Sequence, residues 1–137
     1  MREKHTVFFE PPDTAVWRFV GDISETEMRE LTSREKSLIA GRPYLLKLVD
    51  LSRTGTVSAG ARRAGAEKVH DVPVLGVAVF GAHFAIRVLA DLVVRAGSFL
   101  RRIDAVPTRY FATEAEARAW LAERRVLIKA GKQSGSS

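Results

Sequence analysis

Hydrophobic and polar positions alternate with two different periods along this chain, and the switches between them mark its elements. Thr6 to Glu10 reads as a short strand, and Pro11-Pro12-Asp13 as a turn. From Ala15 to Val20 the period is two. Val16, Arg18 and Val20 face one way, Ala15, Trp17 and Phe19 the other, which predicts a strand and, with the first, a hairpin. The period then lengthens. Ser24 with Glu27 three residues on forms a capping box, and Ile23 with Met28 suits a hydrophobic staple. Met28, Leu31, Leu38 and Ile39 supply an apolar helix face, Gly41 fits a left-handed C-cap, and Pro43 stops continuation.

Tyr44 to Leu51 is a near-continuous apolar run with Lys47 inside it, the pattern of a strand covered on both faces. A loop rich in hydroxyls and glycines is expected after Asp50, and a helix over Ser58 to Lys68. Val72 to Phe80 is the clearest buried strand. Over Phe84 to Leu100, Arg87, Asp91, Arg95 and Ser98 form one narrow polar stripe on an otherwise apolar helix. Thr108 to Ala112 is a short last strand. Thr113 and Glu116 make a second capping box, opening a helix whose Ala117, Trp120, Leu121 and Arg124 share a face.

The order β-β-α-β-α-β-α-β-α predicts a single α/β domain over residues 1–128. A mixed, mostly parallel five-stranded sheet and four main helices are expected, with a flexible polar tail at 129–137. With 137 residues, 46% of them hydrophobic and 28% charged, the chain can bury a core of roughly two-thirds of its unfolded surface. It has no cysteine, which excludes disulfides and thiolate metal sites and suits a reducing cytoplasm. No apolar run reaches the roughly 18 residues of a membrane span. Met1-Arg2-Glu3-Lys4-His5 leads into a strand-like run, so no signal peptide is expected.

The net charge of +6 permits an acidic partner. It is spread over Arg62-Arg63, Arg101-Arg102, Arg124-Arg125, Lys129 and Lys132, with no aromatic-plus-basic motif or helix-turn-helix pattern, which argues against nucleic acid. His5, His70 and His83 are dispersed, so neither a metal site nor a cofactor is expected.

Candidate chemistry concentrates after Asp50. Gly55-Thr56-Val57-Ser58-Ala59-Gly60 is one residue too long for a nucleophile elbow, and no Gly-Lys-Ser/Thr follows to make a P-loop. Asp50 suits an Asx-type role, orienting the following backbone. Ser52, Thr54, Thr56 and Ser58 are candidate phosphoacceptors with Arg62 and Arg63 nearby as partners for phosphate; the alternative is that they satisfy turn and cap groups. The second candidate region is the helix from His83. His83, Phe84, Arg87 and Val88 mark a candidate apolar-ligand pocket, and the same apolar excess could serve a homodimer interface.

The stretch Leu45-Leu46-Lys47-Leu48-Val49-Asp50-Leu51-Ser52 resembles the STAS superfamily, specifically its SpoIIAA-like branch. So do Val77-Ala78-Val79-Phe80-Gly81 and Arg109-Tyr110-Phe111-Ala112-Thr113-Glu114-Ala115-Glu116-Ala117-Arg118-Ala119-Trp120-Leu121. With the element order, the resemblance covers about residues 5 to 125. It implies a non-enzymatic regulatory or protein-interaction module of the bacterial cytoplasm. In STAS antagonists a serine or threonine after the third strand is phosphorylated, in a signature similar to Asp-Ser-Ser-Gly. Here the chain reads Val57-Ser58-Ala59-Gly60: the acidic residue is missing, Ala59 takes the usual acceptor position, and Ser58 is the nearest hydroxyl. The branch also resembles CRAL-TRIO lipid-transfer lobes, which implies the alternative of a lipid or fatty-acid carrier with its pocket between the 83–100 helix and the sheet.

Overall fold

The computed structural model describes residues 4–67, 71–81 and 107–135. Along them run β1 (Thr6–Glu10), β2 (Thr14–Ile23), α1 (Glu25–Ile39), β3 (Leu45–Val57), α2 (Ala59–Ala66), β4 (Val74–Phe80), β5 (Thr108–Phe111) and α3 (Glu114–Gly135). The strands form one sheet in the order β1-β2-β3-β4-β5. β1 pairs with β2 antiparallel, and every other pair is parallel. The α/β class and the mixed five-stranded sheet are as the periodicity predicts. Three helices lie among the described residues; the helix expected over 83–100 falls outside them.

The sheet divides its side chains by parity into two cores. Ala15, Trp17, Phe19, Leu45, Leu51, Val77 and Val79 pack with Leu31, Ile39 and Ala61 under α1 and α2. Val16, Leu46, Leu48, Ala78 and Phe80 pack with Ala117, Trp120 and Leu121 of α3 on the other face. β2, β3 and β4 are buried on both sides, which is why their sequences read as nearly continuous apolar runs.

The first capping box forms as expected. The Glu27 N–H donates to Ser24 Oγ at 3.1 Å and the Ser24 N–H to Glu27 Oε1 at 3.0 Å. Gly41 takes φ +79°, the left-handed conformation its position after the helix predicts. The apolar face of α1 differs from expectation in one residue. Leu38 is 37% exposed, whereas Glu35, at the buried position of the stripe through Leu31 and Ile39, is 1% exposed. The carboxylate is tolerated there because Trp17 Nε1–H donates to Oε2 at 2.6 Å and Lys47 Nζ to Oε1 at 3.1 Å. Lys47, a charge within an apolar run, is thereby explained.

Both central strands outrun their sequence signals. β2 reaches Ile23 rather than Val20, and β3 reaches Val57 rather than Leu51. α3 continues to Gly135, past position 128 where the polar tail is expected.

A buried carboxylate ties the opening turn to the last helix. Asp13, 3% exposed, receives two guanidinium bonds from Arg125, each 2.8 Å, together with the Tyr44 hydroxyl at 2.6 Å and the Thr14 hydroxyl at 2.9 Å. Its backbone carbonyl accepts from the Leu46 N–H at 2.8 Å. Burial pushes the Asp13 carboxyl up, but the bonds from Arg125, Tyr44 and Thr14 outweigh it and hold the group below the ordinary aspartate value. Arg125→Ala strips a buried anion of its bidentate partner and is expected to cost about 3 kcal/mol. Urea unfolding at neutral pH measures this, and a loss within experimental error would show that the ion pair does not anchor α3.

Candidate functional site

Asp50 is the last residue of β3 that pairs with β4, opposite Phe80. Beyond it β3 carries one extra residue: the register with β2 runs Arg18↔Asp50 and then Val20↔Arg53. After this bulge Gly21 lies opposite Thr54, and a second extra residue of β3 intervenes before Ile23 meets Val57. The segment expected as a loop is therefore half of a two-stranded parallel arm that runs beyond the end of β4. This corrects the reading of Ser52 to Val57 as irregular structure. β-branched Thr54, Thr56 and Val57 suit extended backbone, and the pairing with β2 supplies their register.

Asp50 plays the Asx-type role expected of it. Its Oδ1 accepts from the Ser52 N–H at 2.9 Å and the Ser52 hydroxyl at 2.6 Å, and its Oδ2 from Arg18 at 2.9 Å. Burial alone would raise this carboxyl, yet the Ser52 bonds and Arg18 keep it below its ordinary value. Arg18 also reaches both oxygens of Glu114 at 3.3 and 3.5 Å; Glu114 accepts from Arg118 at 2.8 Å, and Arg118 holds Glu10 at 2.6 and 3.1 Å. This chain of alternating charges joins the end of β1 and the middles of β2 and β3 to the start of α3. An aspartate so held is a weak base, and among the described residues Ser52 meets no imidazole. Among the described residues no group of three metal-ligating side chains converges.

The hydroxyls of the arm are largely committed. Thr56 gives both its N–H and its hydroxyl to Asp22 Oδ1, each at 2.8 Å. Thr54 Oγ1 is buried without a hydrogen-bond partner. Ser58 is the N-cap of α2: its Oγ accepts from the Ala61 N–H at 3.0 Å, and its own N–H donates to the Ile23 carbonyl at 3.1 Å. Arg62 folds back to the Val57 carbonyl at 3.0 Å, whereas the Arg63 side chain is 72% exposed and only 3.9 Å from Glu25 at its nearest.

Two glycines fix how closely the pieces approach. Gly60 faces Glu25 so tightly that an added Cβ would fall 2.8 Å from the Glu25 Cβ. Gly81, at φ +77°, lies against Ser52, where a Cβ would come within 2.9 Å of its Cα. Arg29 then bridges α1 to the end of α2, bonding Glu25 at 2.9 Å and Glu67 at 2.9 and 3.1 Å.

The structure thus gathers Asp50, Ser52, Thr54, Thr56, Ser58, Arg62 and Arg63 at the carboxyl end of the sheet, on the bulge, the arm and the start of α2. His83, Phe84, Arg87 and Val88, the expected ligand pocket, lie outside the described residues. Sequence reasoning missed Arg18, Asp22 and Glu114, which hold this region in place from 32, 34 and 64 residues away in the chain. Only the charged residues Arg18 and Asp22, placed at and just after an apolar strand, hinted at them.

The SpoIIAA-like family profile matches residues 15–122. The chain belongs to the SpoIIAA-like family. Its fold is similar to the crystal structure of an uncharacterized DUF3478-family protein with a SpoIIAA-like fold from Shewanella loihica PV-4. The two are 18% identical, with a TM-score of 0.59 over 85% of this chain and 91% of that one. No curated protein matches the sequence. In this SpoIIAA-like chain β3 passes the Asp50 bulge and continues as the arm to Val57.

Because the Asp50 pKa is depressed by folding, its contribution to stability is present above the unfolded value, about 3.9, and is lost as pH falls through the lower folded value. Asp50→Asn is expected to cost about 2 kcal/mol at neutral pH and much less at about pH 3. Urea titrations of both proteins at the two pH values test this; a difference independent of pH would show that the carboxylate charge is not what holds the bulge.

Proposed function

We propose that this chain is a small regulatory or protein-interaction domain, without chemistry of its own, that engages a protein partner through the arm and the first turn of α2. The observation that carries this reading is the way the ridge from Ser52 to Arg63 is anchored. Asp50, Asp22, Ile23 and Glu25 hold it from beneath, so its exposed residues Ser52, Arg53, Thr56, Ser58, Ala59 and Arg63 are presented in one conformation. A surface ordered before binding loses little conformational freedom on association. Its hydroxyls, Thr54 apart, are used in building the scaffold, which favours recognition over catalysis. Membership of the SpoIIAA-like family agrees with a regulatory or binding role. Arg53 and Arg63, in a chain of net charge +6, suit a partner face that carries carboxylates.

Ser58→Asp retains an acceptor for the Ala61 N–H and so keeps the cap while adding negative charge. This change and Arg63→Glu are each expected to weaken partner capture from a lysate of the source organism about tenfold, with circular dichroism unchanged. Lys36→Glu, exposed on α1, is expected to leave capture intact. Undiminished capture by both arm variants would overturn the reading. Light scattering of the purified protein separates it from self-association, which would already cover the arm.

A further inference from the structure

His5 stands just before β1 and is 5% exposed. The Val20 N–H donates to its Nδ1 at 3.0 Å, and its Nε2 lies 3.0 Å from the Asp22 carbonyl oxygen. An N–H aimed at Nδ1 requires a lone pair there, so the ring proton sits on Nε2 and is donated to Asp22. The backbone thereby selects the neutral ring and its tautomer. β1 pairing begins at Thr6↔Arg18, so the imidazole takes the place of a further strand residue along the β2 edge, at Val20 and Asp22.

That short stretch of β2 is also the inner half of the arm. Val20, Gly21 and Ile23 pair with Arg53, Thr54 and Val57. The Asp22 carboxylate holds Thr56, and the Ile23 carbonyl holds the Ser58 N–H that begins the α2 cap. We propose that His5 is an acid-sensitive latch: a second proton on the imidazole expels it from the Val20 amide and loosens the arm and the cap of α2.

The physical reason is the meeting of two donors. A proton on Nδ1 would point at the Val20 N–H, and the pair has to separate. A charged ring has a carboxylate of α1 beside it. Glu27 Oε2 lies 3.4 Å from Nε2 and accepts a charged ring, with Lys4 Nζ 3.7 Å from the same oxygen opposing it in part. The Ser24 backbone bond keeps Glu27 below the ordinary glutamate value, and the Thr56 bonds do the same for Asp22. Both carboxylates are thereby favoured in their charged form. The latch concerns the conformation of the arm and stands whether or not a partner binds there.

The test is a pH series on the isotope-labelled full chain, from about pH 8 to about pH 5. Long-range imidazole correlations report the tautomer and charge of His5, and hydrogen-exchange protection factors report the backbone. The expected result is a neutral Nε2–H ring at the upper pH. As His5 charges, protection should fall about tenfold at Val20, Thr56 and Ser58, while Leu46 and Leu48 in the core hold theirs. Arm amides that keep their protection through the His5 titration would overturn the latch, as would a ring that stays neutral until the whole domain unfolds. His5→Phe, checked for its fold by circular dichroism, should show a poorly protected arm at the upper pH and no acid step. Wild-type protection in that variant would equally overturn it. If the variant does not fold, the wild-type series decides alone.

Discussion

The parallel pairing of β2 with β3 is the constraint on which the rest of the structure depends. It is the longest pairing in the sheet, and it continues after β4 has ended at Phe80. Up to Arg18 and Asp50 it forms the middle of both hydrophobic cores. Past the bulge the same two strands form the arm, with Ile23 and Val57 still packed in the core under α1 and α2. The extra residue in β3 lets one strand serve both tasks, and Asp50 closes the bulge by accepting from Ser52 on one oxygen and Arg18 on the other. Since Arg18 also holds Glu114, the start of α3 is located from this same point.

Buried or half-buried carboxylates recur as fasteners between segments distant in sequence. Asp13 joins the hairpin turn to α3, Glu35 joins α1 to Trp17 and Lys47 of the sheet, and Asp50 joins β3 to β2. Each group loses water on folding and recovers hydrogen bonds from at least two donors, so the cost of burial is met locally. Such contacts are directional where apolar packing is not. They fix which helix turn sits over which strand residue, and so how accurately the arm is placed.

How much of this was legible in the sequence follows the range of each signal. The strand and helix order, the Ser24–Glu27 capping box and the end of α1 at Gly41 rest on neighbours within a few residues, and they appear in the structure where the pattern puts them. The family resemblance was legible for the same reason, in the β3 and α3 motifs. Glu35 misled because polarity in a helix pattern is read as exposure, while its partners come from two strands. The arm misled because Ser, Thr and Gly signal turns locally. Its extended form is imposed by β2 and by Asp22, neither of which leaves a mark between residues 52 and 57. The segment expected as a loop is thus a paired strand.

The contact between Gly60 and Glu25 has a mechanical consequence. Where α2 begins only the Glu25 side chain lies between Gly60 and α1, and Arg29 bonds Glu67 where α2 ends. α2 is therefore tied to α1 at both of its ends. The first turn of α1 is tied in turn through Glu27 to the N-terminal segment at Lys4 and His5. One series of contacts thus runs from the start of the described chain through α1 to both ends of α2.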